Sequence, residues 1–117
     1  LLLMKLFSAH KEYSLDIAKN GEKALELLNR YPYDLVLMDL TMPTLDGFDT
    51  TARIRSSENK KLRKIPVIAL TARISEEEEE ATKEAGMNAY LTKPIDEDIL
   101  FKTINKHLTK YKRSVTA

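Results

Sequence analysis

The chain has 117 residues, 43% of them hydrophobic and 32% charged, with a formal net charge of +1 and no cysteine. That length suits a single domain that buries a core without covalent staples. The missing thiols exclude disulfides and thiolate metal sites and fit a reducing compartment such as the cytoplasm, and a charge so near zero gives no footprint for nucleic acid.

The opening LLLMKLF, residues 1–7, is too short to span a membrane, which takes about 20 apolar residues, and lacks the flanks of a signal peptide. It reads as an amphipathic helix entered part-way. SLDIA, residues 14–18, alternates like a short strand, and Asn20-Gly21 turns the chain. Ala24, Leu27, Leu28 and Tyr31 then fall at helical spacing until Pro32 ends the run. DLVLMD, residues 34–39, is almost continuously apolar, the pattern of a strand covered on both faces. Asp46 can cap the next helix, whose inner face is expected to carry Phe48, Ala52 and either Ile54 or the stem of Arg55. The charged stretch 56–64 reads as a loop, and IPVIALT, residues 65–71, as a second doubly covered strand. Ser75 and Glu78 form a capping box, the run Glu76–Glu80 sits where a helix start favours negative charge, and Gly86 stops that helix. NAYLT, residues 88–92, is the last strand. Lys93-Pro94 breaks it, and Asp96 caps a final helix with Ile99, Leu100, Ile104 and Leu108 inward. The domain is expected over residues 1–109, with a basic tail or linker over 110–117.

A helix followed by four strand–helix units predicts an α/β fold with parallel strands, right-handed crossovers and helices on both faces. In open sheets of this kind the working site lies beyond the carboxyl ends of the strands. Three residues should therefore gather at one edge: Asp39, Thr71 and, just after Thr92, Lys93. A carboxylate there can act as a nucleophile toward phosphorus, a hydroxyl can donate to a phosphoryl oxygen, and an ammonium can offset its charge. Phosphoryl transfer asks a protein chiefly for such positioning and charge stabilisation.

LVLMDLTMPTLDGF, IPVIALTA and NAYLTKPI, together with AKNGEKALELL at 18–28, closely resemble the receiver domain of two-component response regulators and hybrid histidine kinases. The resemblance runs through nearly the whole chain, in order and at the family's spacing. It implies a flavodoxin-like doubly wound sheet of family order 2-1-3-4-5. It also implies that Asp39 is the phosphoacceptor, Thr71 the switch hydroxyl, Lys93 the phosphoryl contact and Tyr90 the aromatic whose rotamer follows the switch. By the same resemblance Asp39 and the backbone carbonyl of Thr41 are magnesium ligands. Pro43 and Gly47 shape the loop after the acceptor, and Thr41 and Arg73 occupy the positions that tune dephosphorylation. The partners implied are a histidine kinase or a histidine phosphotransfer domain, with no nucleic acid or membrane contact and no enzyme activity beyond self-phosphorylation. A hybrid histidine kinase is the implied parent.

Family members begin with a central strand ending in two acids that hold Mg²⁺, and this chain starts inside what resembles the first helix. Four strands are therefore expected, with the family's strand 1 absent. Asp34 cannot replace the acids, because five residues of strand put it about 16 Å from Asp39. Mg²⁺ binding by this chain alone is doubtful on these grounds. The missing strand would precede Leu1 in a longer parent, or SLDIA would move beside DLVLMD, or a second copy would pair on the open sheet edge as a homodimer. Two other functions compete with phosphorelay. One is a receiver-like interaction module that works without phosphorylation. The other is a haloacid-dehalogenase-type phosphatase, which needs a second acid where this chain has Thr41. Neither G-x-G-x-x-G nor a P-loop sequence is present.

Overall fold

The computed structural model describes residues 2–10, 12–18, 20–40, 47–72 and 75–116, and their side chains except at 2–3 and 109–116. The elements are α1 (Leu2–Ser8), α2 (Gly21–Arg30), β1 (Val36–Asp39), α3 (Gly47–Arg55), α4 (Lys60–Arg63), β2 (Val67–Thr71), α5 (Glu76–Glu84), β3 (Ala89–Thr92) and α6 (Glu97–Thr116). The strands form one parallel sheet in the order β1-β2-β3.

Side-chain alternation along β2 divides the core in two. Val67 and Ala69 face Met38, Ile54, Leu62, Ile65 and Met87, with Leu25 and Leu28 of α2 packed alongside. Ile68 and Leu70 face Leu91, Leu100, Phe101 and Ile104, with Leu6 and Phe7 of α1 packed alongside. All five residues of β2 are buried, so the continuous apolar run IPVIALT marks the covered central strand. This is the doubly wound α/β arrangement expected.

The helix ends follow from local chemistry. The Asn20 side chain accepts from the Lys23 N–H at 2.9 Å, and α2 stops before Tyr31 and Pro32. Ser75 Oγ accepts from the Glu78 N–H at 3.1 Å to open α5, and Asp96 accepts from the Ile99 N–H at 3.1 Å to open α6. Gly86, at φ 90°, closes α5 in a conformation that side chains disfavour. The backbone of α6 continues as helix through Thr116. No helix among the described residues is long and apolar enough to cross a membrane.

Several expectations differ from the structure, beginning with the strand count, which is three among the described residues where the sequence predicts four. Residues 14–18 form no strand: β1 lies at the sheet edge, and a strand needs a partner to satisfy its backbone groups. Asp16 instead accepts from the Tyr33 hydroxyl at 2.6 Å, which ties this segment to the approach to β1. The stretch 56–64 is not all loop. Asn59 accepts from the N–H groups of Lys61 and Leu62, and the turn it caps buries Leu62. The buried face of α3 is Gly47, Thr50, Thr51 and Ile54, while Phe48 and Ala52 are exposed. Threonine reads as polar in sequence, yet Thr51 Oγ1 donates to the Gly47 carbonyl at 2.7 Å and so carries its hydroxyl into the core satisfied. In α6 Phe101 is buried and Ile99 is exposed, a shift of the apolar stripe by part of a turn. Tyr31 likewise lies exposed as the C-cap of α2. The capping role of Asp46 and the positions of Thr41, Pro43 and Arg73 lie outside the described residues.

Candidate functional site

Parallel pairing brings the strand ends into line. Asp39, the last residue of β1, is opposite Leu70; Thr71, the last of β2, is opposite Thr92, the last of β3. Two backbone bonds extend the ladders past the strands, Leu40 N–H to the Leu70 carbonyl at 2.8 Å and Lys93 N–H to the Thr71 carbonyl at 2.7 Å. The second fixes where the lysine side chain starts. From there it reaches across the end of β2, and Lys93 Nζ donates to Asp39 Oδ2 at 2.9 Å. The two strands concerned are two spacings apart, roughly 9–10 Å, which a flexible four-carbon stem helps to span. The side chains of Lys93 and Asp39 are 36% and 30% exposed. At that exposure an ion pair contributes at most about 1 kcal/mol to stability. The pair therefore sits where charge remains accessible to a ligand.

Thr71 is buried at the neighbouring strand end, 4% exposed. Tyr90 is half-buried and packs against the core face that holds Met38 and Ala69. It lies opposite Ala69, and by strand alternation Thr71 is on that same face one step further along. Movement at Thr71 and a change in the Tyr90 ring would thus share one packed face. The structure brings Asp39 and Lys93 into contact, with Thr71 and Tyr90 on the strands beside them.

Among the described residues no group of three or more His, Asp or Glu side chains could hold a metal ion. Magnesium takes six oxygen ligands in near-octahedral array. The described side chains do not supply that set, and the Thr41 carbonyl lies outside them.

The model of the response regulator receiver domain matches residues 1–105. The chain belongs to that family. This receiver is 43% identical over 96 residues to histidine kinase 1 of Arabidopsis thaliana, covering 81% of the chain and 8% of the kinase. It is 35% identical over 114 residues to hybrid signal transduction histidine kinase I of Dictyostelium discoideum, covering 93% of the chain and 7% of the kinase. The receiver thus spans less than a tenth of these relatives' length. Among solved structures it resembles the receiver domain of a sensor histidine kinase from Pseudomonas aeruginosa, with a TM-score of 0.80 and 32% identity over 92% of this chain and 86% of that one. That domain holds a magnesium ion coordinated in its active-site cleft.

Sequence reasoning did not find the Arg55 cluster, at the opposite edge of the sheet. Arg55 Nε and Nη2 donate to the Gly86 carbonyl at 3.0 and 2.8 Å, Nη1 to the carbonyls of Arg63 and Ile65 at 3.0 and 2.7 Å, and Nη2 also to Asn88 Oδ1 at 2.9 Å. Burial holds the guanidinium pKa below its ordinary value. Its acceptors are almost all backbone carbonyls, which carry no signature in sequence.

Proposed function

We propose that this receiver takes a phosphoryl group onto Asp39 from a phosphohistidine on a histidine kinase or phosphotransfer domain, and changes conformation in response. The observation that carries the reading is the Lys93–Asp39 contact at 2.9 Å, at the strand ends where Thr71 also lies. An Asp39 carboxylate oxygen attacks phosphorus, the P–N bond breaks, and the departing imidazole keeps the electron pair and is protonated. The product is an acyl phosphate. Lys93 holds the carboxylate before transfer and faces the phosphoryl charge after it, as a point cation. The Thr71 hydroxyl donates to a phosphoryl oxygen, and Tyr90 follows it on the shared face. Receiver domains of this family use magnesium. Here the metal would need oxygen donors beyond the described side chains, so each step above is assigned to the chain's own residues. As in the multidomain kinases it resembles, the parent is a hybrid histidine kinase.

The competing reading is an interaction module that works without phosphorylation. One experiment separates the two. The intact protein is incubated with acetyl phosphate and Mg²⁺ and digested for mass spectrometry. Label on Asp39 that disappears in Asp39→Asn is the expected result. No label on the wild type, with Asp39→Asn behaving identically in partner binding, establishes the module.

A further inference from the structure

We infer that Asn88 is a positioning residue for Lys93: it fixes the register of β3 on β2 at one end of the strand and so sets where the ammonium stands at the other; this rests on Asp39 being the acceptor. β3 has four residues, Ala89–Thr92, paired to β2, and of these only Leu91 is buried. A slip by one residue would turn Leu91 away from the core face it shares with Ile68 and Leu70. A slip by two residues keeps every side chain on its face. It would nevertheless carry Lys93 roughly 6–7 Å along the sheet, which the 2.9 Å contact with Asp39 Oδ2 does not tolerate. Apolar burial thus leaves that second slip open, and polar pairing has to close it.

Asn88 supplies that pairing. Its N–H donates to the Val67 carbonyl at 2.8 Å, and its Oδ1 accepts from the Val67 N–H at 2.8 Å. One residue thereby grips both backbone polar groups of the first residue of β2, and any slip of β3 breaks both bonds. Arg55 steadies the grip, because Nη2 donates to Asn88 Oδ1 at 2.9 Å and to the Gly86 carbonyl at 2.8 Å. With two donors facing that oxygen, turning the amide over would set its NH₂ against them. At the far end of β3 the Lys93 N–H donates to the Thr71 carbonyl at 2.7 Å. A strand this short pairs as a unit, so loosening its amino end displaces the lysine backbone and the ammonium with it. Asn88 itself is exposed, and truncating it opens no cavity in the core.

The test compares Asn88→Ala and Asn88→Asp with wild type in the intact protein, each with and without Lys93→Ala. The readouts are the acetyl phosphate labelling rate of Asp39, the hydrogen-exchange rate of the Lys93 amide, and the melting temperature. Asn88→Ala should label about tenfold more slowly, since misplacement near 1 Å can cost roughly a hundredfold. Its Lys93 amide should exchange roughly fivefold faster, the change expected for one net hydrogen bond. Asn88→Asp, whose carboxylate accepts from the same two donors, should restore both. On the Lys93→Ala background Asn88→Ala should slow labelling no further, because the group it positions is gone. A merely structural asparagine would slow labelling equally with and without Lys93. Where alanine leaves the chain unfolded, Asn88→Gln, which carries the amide on a longer stem, takes its place in the comparison. The inference is overturned if the folded variant labels like wild type, if Asn88→Asp fails to restore the rate, or if the slowing persists on the Lys93→Ala background. If the wild type itself takes no label, the acceptor reading fails. Lys93 amide exchange then decides whether Asn88 holds β3, and exchange unchanged by Asn88→Ala overturns that as well.

Discussion

The two edges of the sheet are built on different plans. At the amino edge Arg55 binds the Gly86, Arg63 and Ile65 carbonyls and Asn88 Oδ1, and Asn88 Oδ1 also accepts from the Val67 N–H at 2.8 Å. One half-buried cation thereby joins the end of α3, the approaches to β2 and β3, and the turn after α5. At the carboxyl edge the ion pair Lys93–Asp39 stands about a third exposed. The first arrangement satisfies polar groups permanently. The second keeps a carboxylate and an ammonium in contact with solvent, where, on the function proposed above, an arriving phosphoryl group would exchange partners with them. Stability is concentrated at one edge, and the exchangeable chemistry lies at the other.

The largest expected loss of stability is at the amino edge. Arg55→Ala leaves several backbone carbonyls without their donor, and roughly 2–4 kcal/mol should be lost in chemical denaturation. Gly86→Ala tests the same edge from the other side. Its φ of 90° opposes any side chain, and the added Cβ would lie 3.1 Å from Arg55 Nε. The expected cost is about 1–2 kcal/mol. Lys93→Ala should cost less than about 1 kcal/mol in the same measurement while slowing acetyl phosphate labelling of Asp39. A loss for Lys93→Ala equal to that for Arg55→Ala would erase the distinction between the edges.

The smallest effect concerns Tyr33, whose hydroxyl donates to Asp16; that hydrogen bond, with burial and the Asp16 charge, raises its pKa from 10.0 to about 12. A raised folded-state pKa contributes stability that is fully present below pH 10 and is lost as pH rises through about 12. The melting-temperature gap between wild type and Tyr33→Phe should therefore be open at pH 8 and narrow toward pH 12. A gap unchanged over that range would show that the hydroxyl does not link residues 14–18 to the approach to β1.

Much of this was open to reading along the chain. Asp39, Thr71 and Lys93 each follow an apolar run, and the rule that parallel strands present their carboxyl ends together predicts their convergence. The caps at Asn20, Ser75 and Asp96 and the stop at Gly86 are local, so residues a few positions apart reveal them. The inner face of α3, and Ile99 in a face of α6 that otherwise holds Leu100, Ile104 and Leu108 as expected, depart from the apolar pattern because hydrophobicity is an incomplete guide to burial. Thr50 and Thr51 go inside with their hydroxyls satisfied, and Phe48 and Ile99 stay outside. The stretch 56–64 hid one apolar anchor, Leu62, among charges.

Properties written in neighbouring residues are set before any long-range contact forms: strand and helix periods, the caps, the doubly covered β2, and which three functional groups end the strands. Which segments pair, and what crosses between them, depends on folding in three dimensions. SLDIA has a strand's alternation, but a ladder needs a second strand, so alternation alone left it irregular. Lys93 meets Asp39 across 54 residues of chain because β2 lies between β1 and β3 and carries the Lys93 backbone. Arg55 became the anchor of the opposite edge because folding brought backbone carbonyls within reach of its five donors, and carbonyls are the same at every position of a sequence.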